Sequence, residues 1–305
     1  MTTDPAPGPA GPQGVIHDIG YRHLEGRRLG SGAIRRALYV ESLRGCYGFG
    51  RSGRSKVAPF ILLGIMLLPA FIMAALSASS GTFPTAGYAG YPINMQLIVM
   101  VFLASQAPQL VARDLRSRVL TLYFSRPLSR GDYVHAKLAA MTTSVVILLA
   151  LPQTVLYGGA LLGKLDAWQQ TRNYLAGLAT TLVLAAVLSG IALFIASVAP
   201  RRGIAAATVI SFFVITWVTS DLLTAVAGRS TSPGPSDTIR PNYGGLISPF
   251  NLVDGVHSWV FHSAVNSPAG PPGTTGGIVF LVVMLLVPLA GYALLRARYR
   301  KVSIS

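Results

Sequence analysis

The chain has 305 residues, 51% of them hydrophobic and 11% charged, with a mean hydropathy of +0.53 and a formal net charge of +15. Water-soluble domains carry about a quarter charged residues, so this composition excludes an ordinary soluble domain and identifies a membrane protein. The charge would suit nucleic acid if it formed one patch, but the basic residues, 21 of 25 of them Arg, cluster between long apolar runs, and a single cysteine, Cys46, excludes an intramolecular disulfide.

Residues 1–14 are rich in Pro, Gly and Ala and cannot bury a core, and no apolar segment of signal-peptide type opens the chain. Residues 1–31 therefore read as a disordered, basic N-terminal arm. Residues 32–56 read as a connecting helix lying in the membrane interface, with Ile34, Leu38 and Leu43 on one side and arginines reaching for phosphates. A solvated basic arm is the alternative for this segment.

Six apolar segments follow, at 57–76, 93–112, 138–162, 174–198, 204–227 and 277–295. A helix of about 20 residues at about 1.5 Å each spans a hydrocarbon core of about 30 Å. The fold class is thus an all-α, polytopic membrane protein with six transmembrane helices over 57–298 and a tail at 299–305. Pro108, Pro152 and Pro288 are expected to bend their helices. Twenty-one of the Lys and Arg residues fall on the side of the two termini and four on the other. The positive-inside rule then puts both termini in the cytoplasm, with 113–137 as a cytoplasmic loop and 228–276 as an extracellular region. Within the latter, 246–265 is only moderately apolar. A seventh span there would put the basic tail on the wrong side, so one or two short helices at or dipping into the outer interface are expected, with Trp259 and Phe261 at that level.

The loop is the most informative stretch. Asp114, Arg116 and Arg118 alternate with Leu115, Leu122, Tyr123 and Phe124 in an amphipathic helix that Pro127 stops. Ser129 followed by Asp132 has the form of a capping box that restarts a helix into the third span. Two short helices joined at a proline thus offer apolar and basic residues to a protein partner; an interfacial helix resting on lipid is the alternative.

Residues 106–138, containing QLVARDLRSRVLTLYFSRPLSRGDYVHAKL, together with SPFNLVDGVHSW at 248–259, resemble the ABC-2 type permeases, the transmembrane subunits of bacterial ATP-driven exporters. The resemblance runs from about residue 35 onward. It implies a type V exporter-like transmembrane domain that binds no cofactor itself, with ATP and Mg on a separate ABC ATPase subunit. It also implies a second permease subunit, identical or related. Arg113, Asp114, Leu115, Arg116, Arg118, Leu122, Tyr123, Phe124, Arg126 and Pro127 would then couple to the ATPase. Spans two and five would line the pathway. Span two offers Gln96, Gln106 and Gln109; span five offers Phe212, Thr216, Trp217, Ser220 and Thr224, with Thr216, Ser220 and Thr224 in a stripe at four-residue spacing. Such side chains face a cavity or hydrogen-bond between helices.

Other chemistry is thin. Gly158, Gly163 and Lys164 have phosphate-loop spacing, but Leu165 stands where a magnesium-binding Ser or Thr is needed, so Gly159 and Gly163 read as close helix-packing sites. Asp254 and His257 share a helix face while His262 points elsewhere, so no metal site is expected. Asp221 reads as a wetted acid near the outer end of span five. The competing classes are an ATP-independent secondary transporter or channel, and a membrane-embedded lipid- or peptide-processing enzyme; neither finds the buried charges or clustered acids it needs.

Overall fold

A computed structural model describes residues 30–50, 53–83, 87–111, 129–199, 201–229, 240–263, 266 and 269–301. Among them the chain is all-helical apart from one parallel pair of two-residue strands, β1 (Arg240–Pro241) and β2 (Ala269–Gly270). Five helices are long and apolar enough to cross a membrane, or six if one bent pair counts as a single span.

Helix α1 (Ser31–Cys46) lies where the connecting helix is expected, with Leu38 buried and Ile34 and Leu43 packed beside it. Its Tyr39 hydroxyl bonds Thr143 at 3.1 Å, and the Tyr47 hydroxyl just beyond it donates to the Ser144 carbonyl at 2.7 Å. Helix α2 (Arg54–Ser80) overruns its apolar core at both ends and stops at Gly81, whose φ of +65° closes the last turn through a bond to the Ser77 carbonyl.

The second apolar segment is not one straight helix. Helix α3 (Gly87–Asn94) and helix α4 (Gln96–Leu110) meet at an angle of 59° about Met95. Pro92, one turn before the break, has no N–H to give and crowds the preceding carbonyls. Residues 93 and 94, expected to open the span, instead close α3.

Helix α5 (Arg130–Leu162) begins on the capping box: Ser129 Oγ accepts from the Asp132 N–H at 3.1 Å and donates to Asp132 Oδ2 at 2.7 Å. It runs unbroken for 33 residues, eight of them ahead of the apolar run. Helix α6 (Ala167–Val198) follows a short turn and is capped by Asp166, whose Oδ1 accepts from the N–H groups of Trp168 and Gln169. Then come α7 (Arg202–Arg229), a 3-10 turn (Tyr243–Leu246), α8 (Pro249–Phe261) and α9 (Gly273–Lys301).

Helix α6 forms the centre, packed on α3, α4, α5, α7, α8 and α9; α2 lies against α5, and α4 against α7. Close approach of α2 and α5 depends on Gly159 and Gly163, as their spacing predicts. A Cβ on Gly159 would come within 2.5 Å of Ala74 Cα, and one on Gly163 within 2.4 Å of the Ser77 carbonyl oxygen. Between α5 and α6, buried Gln153 donates to Thr181 at 2.8 Å.

The two ends differ in content. One gathers α1, the start of α5 and the end of α9, tied by Arg35 to Asp132 at 3.4 Å, by Arg130 to the Arg300 carbonyl at 3.1 Å, and by the Tyr133 and Tyr299 rings at 5.1 Å. The other holds α3, the start of α6, the 3-10 turn and α8. Helix α8 does not rest on a surface: all ten residues from Pro249 to Ser258 are buried, among α3, α6, α7 and α9.

Candidate functional site

The ten residues assigned to partner coupling, Arg113, Asp114, Leu115, Arg116, Arg118, Leu122, Tyr123, Phe124, Arg126 and Pro127, lie outside the described residues. What is described is their exit, Ser129 to Tyr133, where the helix cap, the Arg35 ion pair and the Tyr299 contact converge within five residues. The first turn of α5 is therefore fastened to both α1 and α9.

The pathway candidates fall on two helices that pack side by side, α4 and α7. Gln96 and Gln106 are buried, and the Oε1 of each has no hydrogen-bond partner among the described residues. Gln106 and Gln109 both turn to Ser105, the first to its hydroxyl at 3.0 Å and the second to its carbonyl at 2.9 Å. Neither Gln96 nor Gln106 hydrogen-bonds to α7, so the structure brings the helices together without pairing these groups.

On α7 the stripe divides. Thr216 and Thr224 return their hydroxyl protons to their own helix, at the Phe213 and Ser220 carbonyls. Ser220 alone reaches outward: it donates to the Gly244 carbonyl of the 3-10 turn at 2.9 Å and accepts from Asn251 of α8 at 2.8 Å. Phe212 is exposed and meets buried Phe213 edge-on, which in turn packs against Phe250 of α8. Trp217 is half-buried against the core. Asp221, expected to be a wetted acid, is partly buried. Its carboxylate reaches Asn251 and Trp217, and its Oδ1 is buried without a hydrogen-bond partner among the described residues.

Asn251 and Gly244, which join α7 to α8 and the turn, escape a reading of the sequence because no local pattern pairs residues 31 and 24 positions away. The same holds for Thr180 and His257. Thr180 Oγ1 lies 2.9 Å from the Ala176 carbonyl oxygen and 2.6 Å from Nδ1 of His257, and the tautomer of that ring decides which of the two donates. Burial pushes the His257 imidazole below the ordinary value of 6.5, partly offset by the Asp254 carboxylate. Asp254 accepts from the backbone and side-chain nitrogens of Asn266 at 2.8 and 3.3 Å.

A family model described as ABC-2 family transporter protein matches residues 74–301. The chain belongs to this family. No curated protein matches it. The matched span starts within α2 and ends at the last residue of α9, so it takes in every helix from α3 onward. An ABC-2 protein with these apolar helices is a multi-pass membrane protein and a permease component of an ABC transporter, typically a transmembrane subunit without catalytic activity.

Proposed function

We propose that the chain is the membrane-spanning subunit of an ATP-driven exporter in a bacterial plasma membrane, with both termini in the cytoplasm. It works as a dimer of permease subunits, identical or related. It binds no nucleotide; ATP and Mg reside on a separate ABC ATPase that docks on the loop from Arg113 to Pro127. The orientation rests on the Lys and Arg that crowd the end of the molecule bearing α1, the start of α5 and the end of α9.

The observation that carries the reading is the mechanical continuity of α5. The helix starts at Arg130, directly after the loop, and continues without a break to Leu162. A displacement of the loop is thus passed to a rigid rod about 50 Å long, at about 1.5 Å per residue, whose first turn is tied to α1 and α9. The side-by-side placement of α4 and α7, with buried Gln106 on one and Ser220 on the other, supports a pathway along these two helices.

The test is co-expression with a lone ABC ATPase subunit, sought first among the genes adjacent to the one for this chain. The wild type is expected to co-purify with it and to transport only when ATP is supplied. Replacing Leu122 and Phe124 together by Asp should lower the recovered ATPase at least tenfold while the chain still inserts. A cysteine introduced by Arg126→Cys should react with impermeant reagents only from the cytoplasmic side, since Cys46 is buried. Labelling from the cell exterior, or transport by the chain alone on a proton gradient, overturns the reading.

A further inference from the structure

At the end opposite the termini, α3, α6 and α8 enclose a cavity of about 620 Å³. Ligand pockets run from about 300 to 1,000 Å³, so it is large enough for more than water. Its lining is rich in hydrogen-bond donors: Arg172 and Asn173 from the second turn of α6, with His257 and His262 from the end of α8. The side chains of Arg172, Asn173 and His262 make no ion pair or hydrogen bond with any described residue. Among the described residues no carboxylate lines the cavity, and Asp254, the acid on α8, is held by Asn266.

The same lining includes the apolar Phe83, Tyr88, Val260 and Phe261. The Phe83 and Tyr88 rings lie 4.6 Å apart, and the Tyr88 hydroxyl donates to Gln170 at 2.9 Å. An unpaired guanidinium presents a planar fork of donors that fits the oxygens of a phosphate or carboxylate.

We propose that this cavity binds an amphipathic anion, its phosphate or carboxylate held by Arg172 and its apolar chain laid against Phe83 and Phe261. The occupant is either a membrane lipid of the adjoining leaflet or a soluble amphiphile, and both share this chemistry. The inference is independent of the exporter reading, because binding is measured without an ATPase.

The test uses the full chain in phosphatidylcholine nanodiscs, titrated calorimetrically with decyl phosphate against empty discs. Arg172→Ala is expected to weaken binding at least tenfold and Arg172→Lys by less; inorganic phosphate and decanol should each bind at least tenfold more weakly than decyl phosphate. Because Arg172 is exposed and makes no ion pair or hydrogen bond with a described residue, the variant should elute as the wild type does. Replacing a third of the lipid by phosphatidylglycerol separates the sources. A fivefold weaker apparent affinity in the wild type, but not in Arg172→Ala, identifies a lipid; an unchanged affinity identifies a soluble amphiphile. Equal binding by Arg172→Ala and wild type, or by inorganic phosphate and decyl phosphate, overturns the proposal.

Discussion

Helices α2 and α6 have the same mean hydropathy, 2.5 over their most apolar windows, yet 61% of that window is buried in α6 and 22% in α2. In water the more buried helix would be the more apolar one. In a bilayer the tails are as apolar as Leu, so helices associate through small residues, close packing and interhelical hydrogen bonds. Helix α6 carries the marks of that: Gly177 against Tyr88, Thr181 bonded to Gln153, Thr180 bonded to His257, and Gly190 against Pro288 and Gly291. Helix α2 turns Ile61, Leu68, Phe71 and Leu76 outward and keeps its small residues Ala74 and Ser77 for α5. Small and weakly polar positions, rather than hydropathy, mark the inner faces of this protein.

The largest expected effect tests the single face on which α2 does pack. In Gly159→Leu the new side chain would start 2.5 Å from the Ala74 backbone, so the helices must part, at a cost of about 3 kcal/mol by analogy with overpacked cores. Unfolding in mixed micelles measures it, and a variant as stable as the wild type would show that α2 and α5 are not in contact as described. Next comes a matched pair. Leu188→Ala removes a fully buried side chain of α6 and should lose about 2 kcal/mol through the cavity it leaves. Leu68→Ala, at a site 63% exposed on α2, should lose less than about 0.5 kcal/mol. Equal losses would break the contrast between the two helices.

The smallest effect concerns the polar tie from α6 to α8. Since burial holds the His257 imidazole below 6.5, the unfolded chain takes up a proton first on acidification. Its contribution to stability is therefore complete above 6.5 and declines as pH falls from there through the folded value. Asp254, on the same helix, is the charged neighbour that partly offsets that shift; Arg172 of α6 and His262, which caps the same helix, line the cavity with it. Melting temperatures between pH 8 and 5 should fall more steeply for the wild type than for His257→Asn. Parallel curves would mean that the imidazole is not neutral in the folded protein.

Residue by residue, the amino-acid sequence by itself determined the helical class, the apolar stretches, the start of α5 at Ser129 and Asp132, and the packing role of Gly159 and Gly163. These are local matters: a backbone in lipid must close its own i to i−4 bonds, and a cap or a close-packing glycine is read within one or two turns. The family, too, was legible in the stretch around Ser-Arg-Pro-Leu-Ser-Arg, although the residues from Arg113 to Pro127 that carry the expected contact lie outside those described. Only the tertiary structure decided that the second segment bends at Met95, that α8 is held inside rather than on a surface, that Ser220 is claimed by Asn251 and Gly244, and that Arg172 and His262 line one cavity. The reason is that lipid and protein interior are equally apolar to a Leu or a Val. Which face of a helix meets which neighbour is then set by shape and by hydrogen-bond partners far away in the chain, and neither leaves a period in the sequence.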